Sequence, residues 1–161
     1  LEFRRVLFRS FEFTDFPNGN CYNRQVPDGP LVNGVLTCNY TGKGGQYTPQ
    51  NSYSVALDYK QSVFGDWLLL GSLMYNHRSH QLIHDNHDPN MDIPGVGRVD
   101  ARLGIENRNW SFAFVGKNLT NEKILSYAGN VPLSSSMFGT NTFFAMVERP
   151  RQLALEAGYR F

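Results

Sequence analysis

Arg149-Pro-Arg-Gln-Leu-Ala-Leu-Glu-Ala-Gly-Tyr-Arg-Phe161 is the stretch that decides the fold. With a period of two, it puts Leu153, Leu155, Ala157, Tyr159 and Phe161 on one face of a strand and Gln152, Ala154, Glu156, Gly158 and Arg160 on the other. One face is wholly apolar, the other small or charged, and aromatic residues form the foot. A strand of this length and pattern suits a tilted bilayer crossing in the wall of a β-barrel. An ordinary amphipathic edge strand is the competing interpretation of this segment alone.

The same alternation recurs upstream and predicts strands over 50–60, 67–79, 96–106 and 110–122, with the last over 149–161 and the stub of an earlier one at Phe11 to Phe13. Tyr53, Val55, Leu57 and Tyr59 oppose Ser54, Ala56, Asp58 and Lys60; Val99, Ala101, Leu103 and Ile105 oppose Arg98, Asp100, Arg102, Gly104 and Glu106. An arginine turned to lipid near the midplane costs about 2–4 kcal/mol, so the pattern fixes the register. Arg98, Asp100, Arg102, Glu106, Lys117, Glu156 and Arg160 are expected to share the inner, polar face. Helical periodicity is nowhere sustained. The fold class expected is all-β, an antiparallel up-and-down meander forming part of a transmembrane barrel with long extracellular loops.

Composition agrees with that class. A formal net charge of +1 lacks the basic excess of a nucleic-acid binder, so no nucleic acid is expected as a partner. The mean hydropathy of −0.38 looks like that of a soluble protein, yet barrel strands alternate and keep the average low. Apolar runs such as Trp67 to Leu70 are too short for a membrane-spanning helix.

The connections carry a second signal. Gln61 to Asp66 and Asn107 to Asn109 are short, whereas 15–49, 80–95 and 123–148 are long. Strict alternation of short and long is the asymmetry of an outer-membrane barrel, with tight periplasmic turns and extended outer loops. Trp67 and Trp110 each follow a short turn directly, which predicts an aromatic girdle at one interface together with Tyr159 and Phe161.

Residues 1–10, Leu-Glu-Phe-Arg-Arg-Val-Leu-Phe-Arg-Ser, resemble a translated sequencing adapter and are set aside as an artefact, leaving 11–161 as the natural portion. Within it, Val99-Asp-Ala-Arg-Leu-Gly-Ile105, Trp110-Ser-Phe-Ala-Phe-Val-Gly-Lys-Asn-Leu-Thr-Asn-Glu122, the Arg149-Pro-Arg-Gln152 opening of the last strand and the final Tyr-Arg-Phe resemble the C-terminal portion of TonB-dependent outer-membrane receptors. Phe13-Thr-Asp-Phe-Pro-Asn-Gly19, Cys21-Tyr22, Thr41-Gly-Lys43 and Pro49 are similar to loop patterns of the iron-complex receptors in that family. The chain departs from the pattern at Glu156, where the last strand often has glycine.

The resemblance implies an outer-membrane location in a Gram-negative bacterium and TonB-dependent active uptake of a scarce nutrient, foremost an iron-siderophore complex. It implies contact with outer-membrane lipid, with the TonB complex through an N-terminal region outside this stretch, and with the barrel-assembly machinery through a final-strand signal ending in Tyr159 and Phe161. A small-molecule substrate such as a ferric siderophore is the implied ligand. The alternatives are a passive porin-like barrel and a secreted all-β ligand-binding module.

Cys21 and Cys38 fall in one loop of the outer side, where disulfides persist, and are expected to pair; two free thiols are the alternative. Phe138, Phe143 and Phe144 in the last long loop are candidates for touching ligand, against simple packing of loop on loop. His80, His84 and His87, near His77 and interleaved with Asp85, Asp88 and Asp92, have the donor types a transition metal takes, but they sit around a long polar loop with no strand to hold them rigidly, and a solvated loop is the favoured account. Lys43 lacks the spacing of a phosphate-binding loop, no nucleophile motif occurs, and neither an enzyme activity nor a cofactor is expected.

Overall fold

The computed structural model describes residues 2–4, 11–22, 24–84, 87–131 and 142–161. The protein is all-β, and among the described residues the one helical element is a single 3-10 turn, Pro89–Met91. The strands in chain order are β1 (Glu2–Arg4), β2 (Leu31–Val32), β3 (Val35–Leu36), β4 (Ser52–Phe64), β5 (Trp67–Arg78), β6 (Gln81–Leu82), β7 (Asp92–Ile93), β8 (Val96–Glu106), β9 (Trp110–Lys117), β10 (Leu125–Asn130), β11 (Phe143–Val147) and β12 (Gln152–Tyr159).

One six-stranded antiparallel sheet dominates, in the order β1-β4-β5-β8-β9-β12. From β4 onward each long strand pairs with the next long strand in the chain, which is an up-and-down meander. The sheet does not close on itself; β1 and β12 are its edges. β1, from the segment set aside as an adapter remnant, lies antiparallel on β4 with Phe3 opposite Leu57. The unpaired N–H and C=O groups of a long edge strand accept such a short extended segment readily.

Register makes the two faces continuous across strands. Leu57 pairs with Leu73, Leu73 with Ala101, Ala101 with Gly116 and Gly116 with Leu153. The next row on that side runs Tyr59, Gly71, Leu103, Phe114 and Leu155. On the other side Asp58, Ser72, Arg102, Val115 and Ala154 form a row, with Lys60, Leu70, Gly104, Ala113 and Glu156 beside it. The five expected strands and their facing are thus present. β5 is the exception to two-faced chemistry, since Leu68, Leu70 and Met74 share the polar side.

Several boundaries differ from expectation: β12 covers Gln152–Tyr159 of the expected 149–161, and β4 begins at Ser52. β4 runs on to Phe64, so the turn is only Gly65-Asp66, with Gly65 at φ +53°. A register shift between Ser62 and Phe64 interrupts the alternation there. β9 stops at Lys117 and not at 122, because Asn118 and Asn121 take positive φ and turn the chain. Phe11 to Phe13 is no strand; its backbone is irregular and Phe13 exchanges hydrogen bonds with Gly42 and Lys43.

The two short turns lie at one end of the meander and the long connections gather at the other. There Ile83, Met91, Ile93 and Ala128 form a buried cluster, with Leu125 and Phe143 against it. The connection 123–148, expected to be loop throughout, contains the β10–β11 hairpin.

Candidate functional site

Three features stand out: an uncovered apolar face, an aromatic row at the short-turn end, and a packed cap at the other end. On the apolar face Leu155 is 85% exposed, Leu153 60%, Leu103 59% and Phe114 47%. These residues lie side by side through the register, so they form one patch and not scattered singletons. Leu119 folds back against Gly116 on this side. A patch of this extent is far beyond the isolated exposed residues of a soluble monomer.

The aromatic row is built by cross-strand pairing. Trp110 pairs with Tyr159, their ring centroids 4.6 Å apart, and Trp110 stacks on Phe112 at 5.8 Å. Trp67 stacks on Phe112 at 6.4 Å and lies 6.1 Å from Phe64, while Phe161 meets Tyr159 edge-on at 5.1 Å. Both tryptophans and both terminal aromatics singled out in the sequence are therefore in one belt. Phe64 and Phe112 also belong to it. Phe112 shares the strand parity of Trp110, a signal the sequence did offer. The turn below is fixed by Asn107, whose Oδ1 accepts from the N–H groups of Asn109 and Trp110 at 3.0 and 2.7 Å.

The opposite face carries ion pairs: Arg102 of β8 with Glu156 of β12 at 3.3 Å, and Arg98 with Asp100 of its own strand and with Glu148, just after β11, at 3.4 Å. At its loop end Asn118 is buried. Its N–H donates to Asp100 at 2.8 Å and its Nδ2 to the Glu122 carbonyl at 2.9 Å, while its Oδ1 accepts from the Glu122 N–H at 3.0 Å. Leu119 N–H adds a bond to the Val99 carbonyl at 2.8 Å and Thr120 Oγ1 one to Gly97 at 3.1 Å. Asn-Leu-Thr-Asn-Glu is thus a tie that folds the end of β9 back onto β8, not the end of a strand.

In the cap, Cys21 and Cys38 are joined by a disulfide with Cα atoms 5.2 Å apart, and Cys38 is fully buried. Closing a loop of this size stabilises the segment by about 3 kcal/mol in the chain-entropy model. Phe13, Phe16 and Tyr40 pack ring against ring beside it, and His87 lies 4.2 Å from Tyr40. Gln46 donates to the Ile83 carbonyl at 3.1 Å and Tyr47 N–H to the Leu82 carbonyl at 2.8 Å, binding the first long segment to the second. Desolvation, with Tyr127 nearby as a smaller cause, raises the Tyr47 phenol above its ordinary value.

The candidate ligand-contacting and metal-binding residues divide. Phe143 packs against the cap core, and Phe144 lies 5.6 Å from the Tyr127 ring in the hairpin, so both stabilise the loops internally. Phe138 falls outside the described residues. The described histidines are held apart by different partners. His80 contacts Asp92 at 3.2 Å, His87 is turned onto Tyr40, and among the described residues no group of three metal-ligating side chains forms. Asp85 lies outside the described residues.

No protein-family model matches the chain, and no curated protein or solved structure is similar to it.

Proposed function

We propose that this chain forms part of the wall of an outer-membrane β-barrel belonging to a TonB-dependent receptor, which takes up a scarce nutrient, foremost a ferric siderophore. The observation that carries this reading is the alignment of uncovered apolar rows over five strands, ending at an aromatic belt on the short-turn side. Transfer of each large apolar side chain from water to hydrocarbon is worth about 1.5–3 kcal/mol, and lipid supplies that to the whole face at once. Tryptophan and tyrosine favour the boundary between hydrocarbon and water, which suits a belt at one end of the strands. The ion-paired face then looks into a polar lumen. The free edges of the sheet would be completed by further barrel strands, because a lipid-facing sheet tolerates no unpaired edge. The receptor assignment leans also on the resemblance of the Asn118-Leu-Thr-Asn-Glu122 and Arg149-Pro-Arg-Gln152 segments, and the siderophore assignment on the resemblance of Phe13 to Gly19, Cys21-Tyr22, Thr41-Gly-Lys43 and Pro49 to loops of iron-complex receptors.

A secreted binding module is the reading this arrangement disfavours, since it would bury Leu103 and Leu155 under a second layer. Single cysteines distinguish the two. With Cys21 and Cys38 replaced by serine, Asn90→Cys in the cap should react with an impermeant maleimide on whole cells, and Asn109→Cys in the short turn only after the outer membrane is permeabilised. Equal labelling of both in a soluble extract would refute the membrane reading, and the reverse pattern would invert the topology.

A further inference from the structure

Arg98 stands between two hollows on the polar face where the sheet meets the cap. One, of about 250 Å³, has Asn76, Arg78 and Ile124 in its lining; the other, of about 480 Å³, has Asp100, Lys117 and Arg149, and Arg98 and Glu148 line both. Across the two, four cationic side chains face two carboxylates. Arg98 and Asn76 are a cross-strand pair on β8 and β5. Arg98 Nε and Asn76 Nδ2 are shielded from water, and among the described residues neither has a hydrogen-bond acceptor. Asp100 approaches Arg98 Nε only as an ion pair at 3.4 Å, and Glu148 holds Nη1 at the same distance. Shielded donors without an acceptor are costly, and a guanidinium fork matches two carboxylate oxygens better than one long contact.

We propose that this wall binds a small molecule through a carboxylate that takes the place of Glu148 on Arg98. One of its oxygens accepts from Nη1, and the other supplies the acceptor that Nε or the Asn76 amide lacks. A group with more negative charge is disfavoured by the neighbouring Asp100 and by Glu148 itself. Glu148 directly follows β11, and its N–H donates to the Ile124 carbonyl at 2.8 Å. Exchange therefore frees a side-chain anchor of the β10–β11 hairpin while its backbone tie remains. Arg78, whose Nη2 donates to the Leu125 carbonyl at 2.9 Å, holds the other side of the hairpin. The inference rests on the proposed function only in taking the polar face as the water-filled side.

The test is a titration of the isotope-labelled chain in detergent micelles with succinate, against sodium chloride at matched ionic strength, following the Asn76 side-chain amide and Arg98 Nε resonances. A saturable shift with succinate alone is expected. Arg98→Gln should weaken it by about tenfold or more, and Glu148→Gln, which removes the competing carboxylate, should tighten it several-fold. A purely structural Arg98–Glu148 pair would give weakening in both variants. That outcome, or a shift reproduced by chloride, overturns the proposal. Arg98→Lys, which keeps the charge without the fork, should bind more weakly than the native chain; equal binding also overturns it. Neither result alters the lipid contact of the opposite face, so failure here leaves the barrel reading to its own test.

Discussion

The sheet and the cap distribute apolar residues in opposite ways. In the regular strands Leu103, Phe114, Leu153 and Leu155 are exposed, while the irregular segments bury Tyr40, Ile83, Met91 and Cys38 almost completely. In a water-soluble protein, strands supply the core and loops the surface. Here the cap alone follows water's rules, with a small apolar core, a disulfide and side-chain hydrogen bonds. The inner strands of the sheet are paired on both sides, yet one face keeps its apolar side chains uncovered. On the proposed reading the contrast reflects two solvents for one chain, water around the cap and hydrocarbon against the apolar face of the sheet.

The largest expected effect sharpens the cap side of that comparison. Ile83→Ala removes the centre of the cap core and should cost about 2–5 kcal/mol locally. Hydrogen exchange should report this in Ile83, Met91 and Ala128 and leave β5 and β8 unchanged; equal loss in the sheet would mean one cooperative core. Next, Leu103→Arg should destabilise the chain in bilayers by about 2–4 kcal/mol, whereas Ser111→Arg, on the other face opposite Glu106, should stay within about 0.5 kcal/mol. Denaturant titration in lipid checks this, and equal penalties would remove the distinction between the faces. Replacing Cys21 and Cys38 by serine should cost about 3 kcal/mol in the cap with no change in the strand signal by circular dichroism. The smallest effect belongs to the polar face: a double-mutant cycle on Arg102 and Glu156, both well exposed, should give about 0.2–1 kcal/mol. A much larger coupling would mean that this face is shielded from water.

Period-two alternation was enough to find the five long strands and their facing, because each substitution of face would carry a charge into the apolar row. It misplaced ends wherever backbone conformation, not side-chain polarity, set them. Asn118 at positive φ ends β9 although the residues beyond still alternate, and the shift near Val63 hides the last turn of β4. The β10–β11 hairpin is short and carries small residues such as Ala128 and Gly129, so little periodicity marks it. The β2–β3 hairpin did have a signal: Asn33-Gly34, both at positive φ, between two apolar pairs. The cap's contacts join segments far apart in sequence, such as Gln46 with Ile83 and Arg78 with Leu125, and no local pattern encodes them. For the same reason the contact of His87 with Tyr40 could not be read from the histidine spacing.

The claim that one face of the sheet meets hydrocarbon is tested most directly on two neighbouring exposed residues of β5, Ser72 on the polar side and Leu73 on the apolar side. With Cys21 and Cys38 replaced by serine, a nitroxide label is attached to Ser72→Cys or to Leu73→Cys in the chain reconstituted into phospholipid bilayers, and its relaxation by oxygen and by a water-soluble nickel complex is compared. The account predicts that the label at 73 is relaxed by oxygen and protected from nickel, and that the label at 72 shows the reverse. Ready access of nickel to both positions would contradict it.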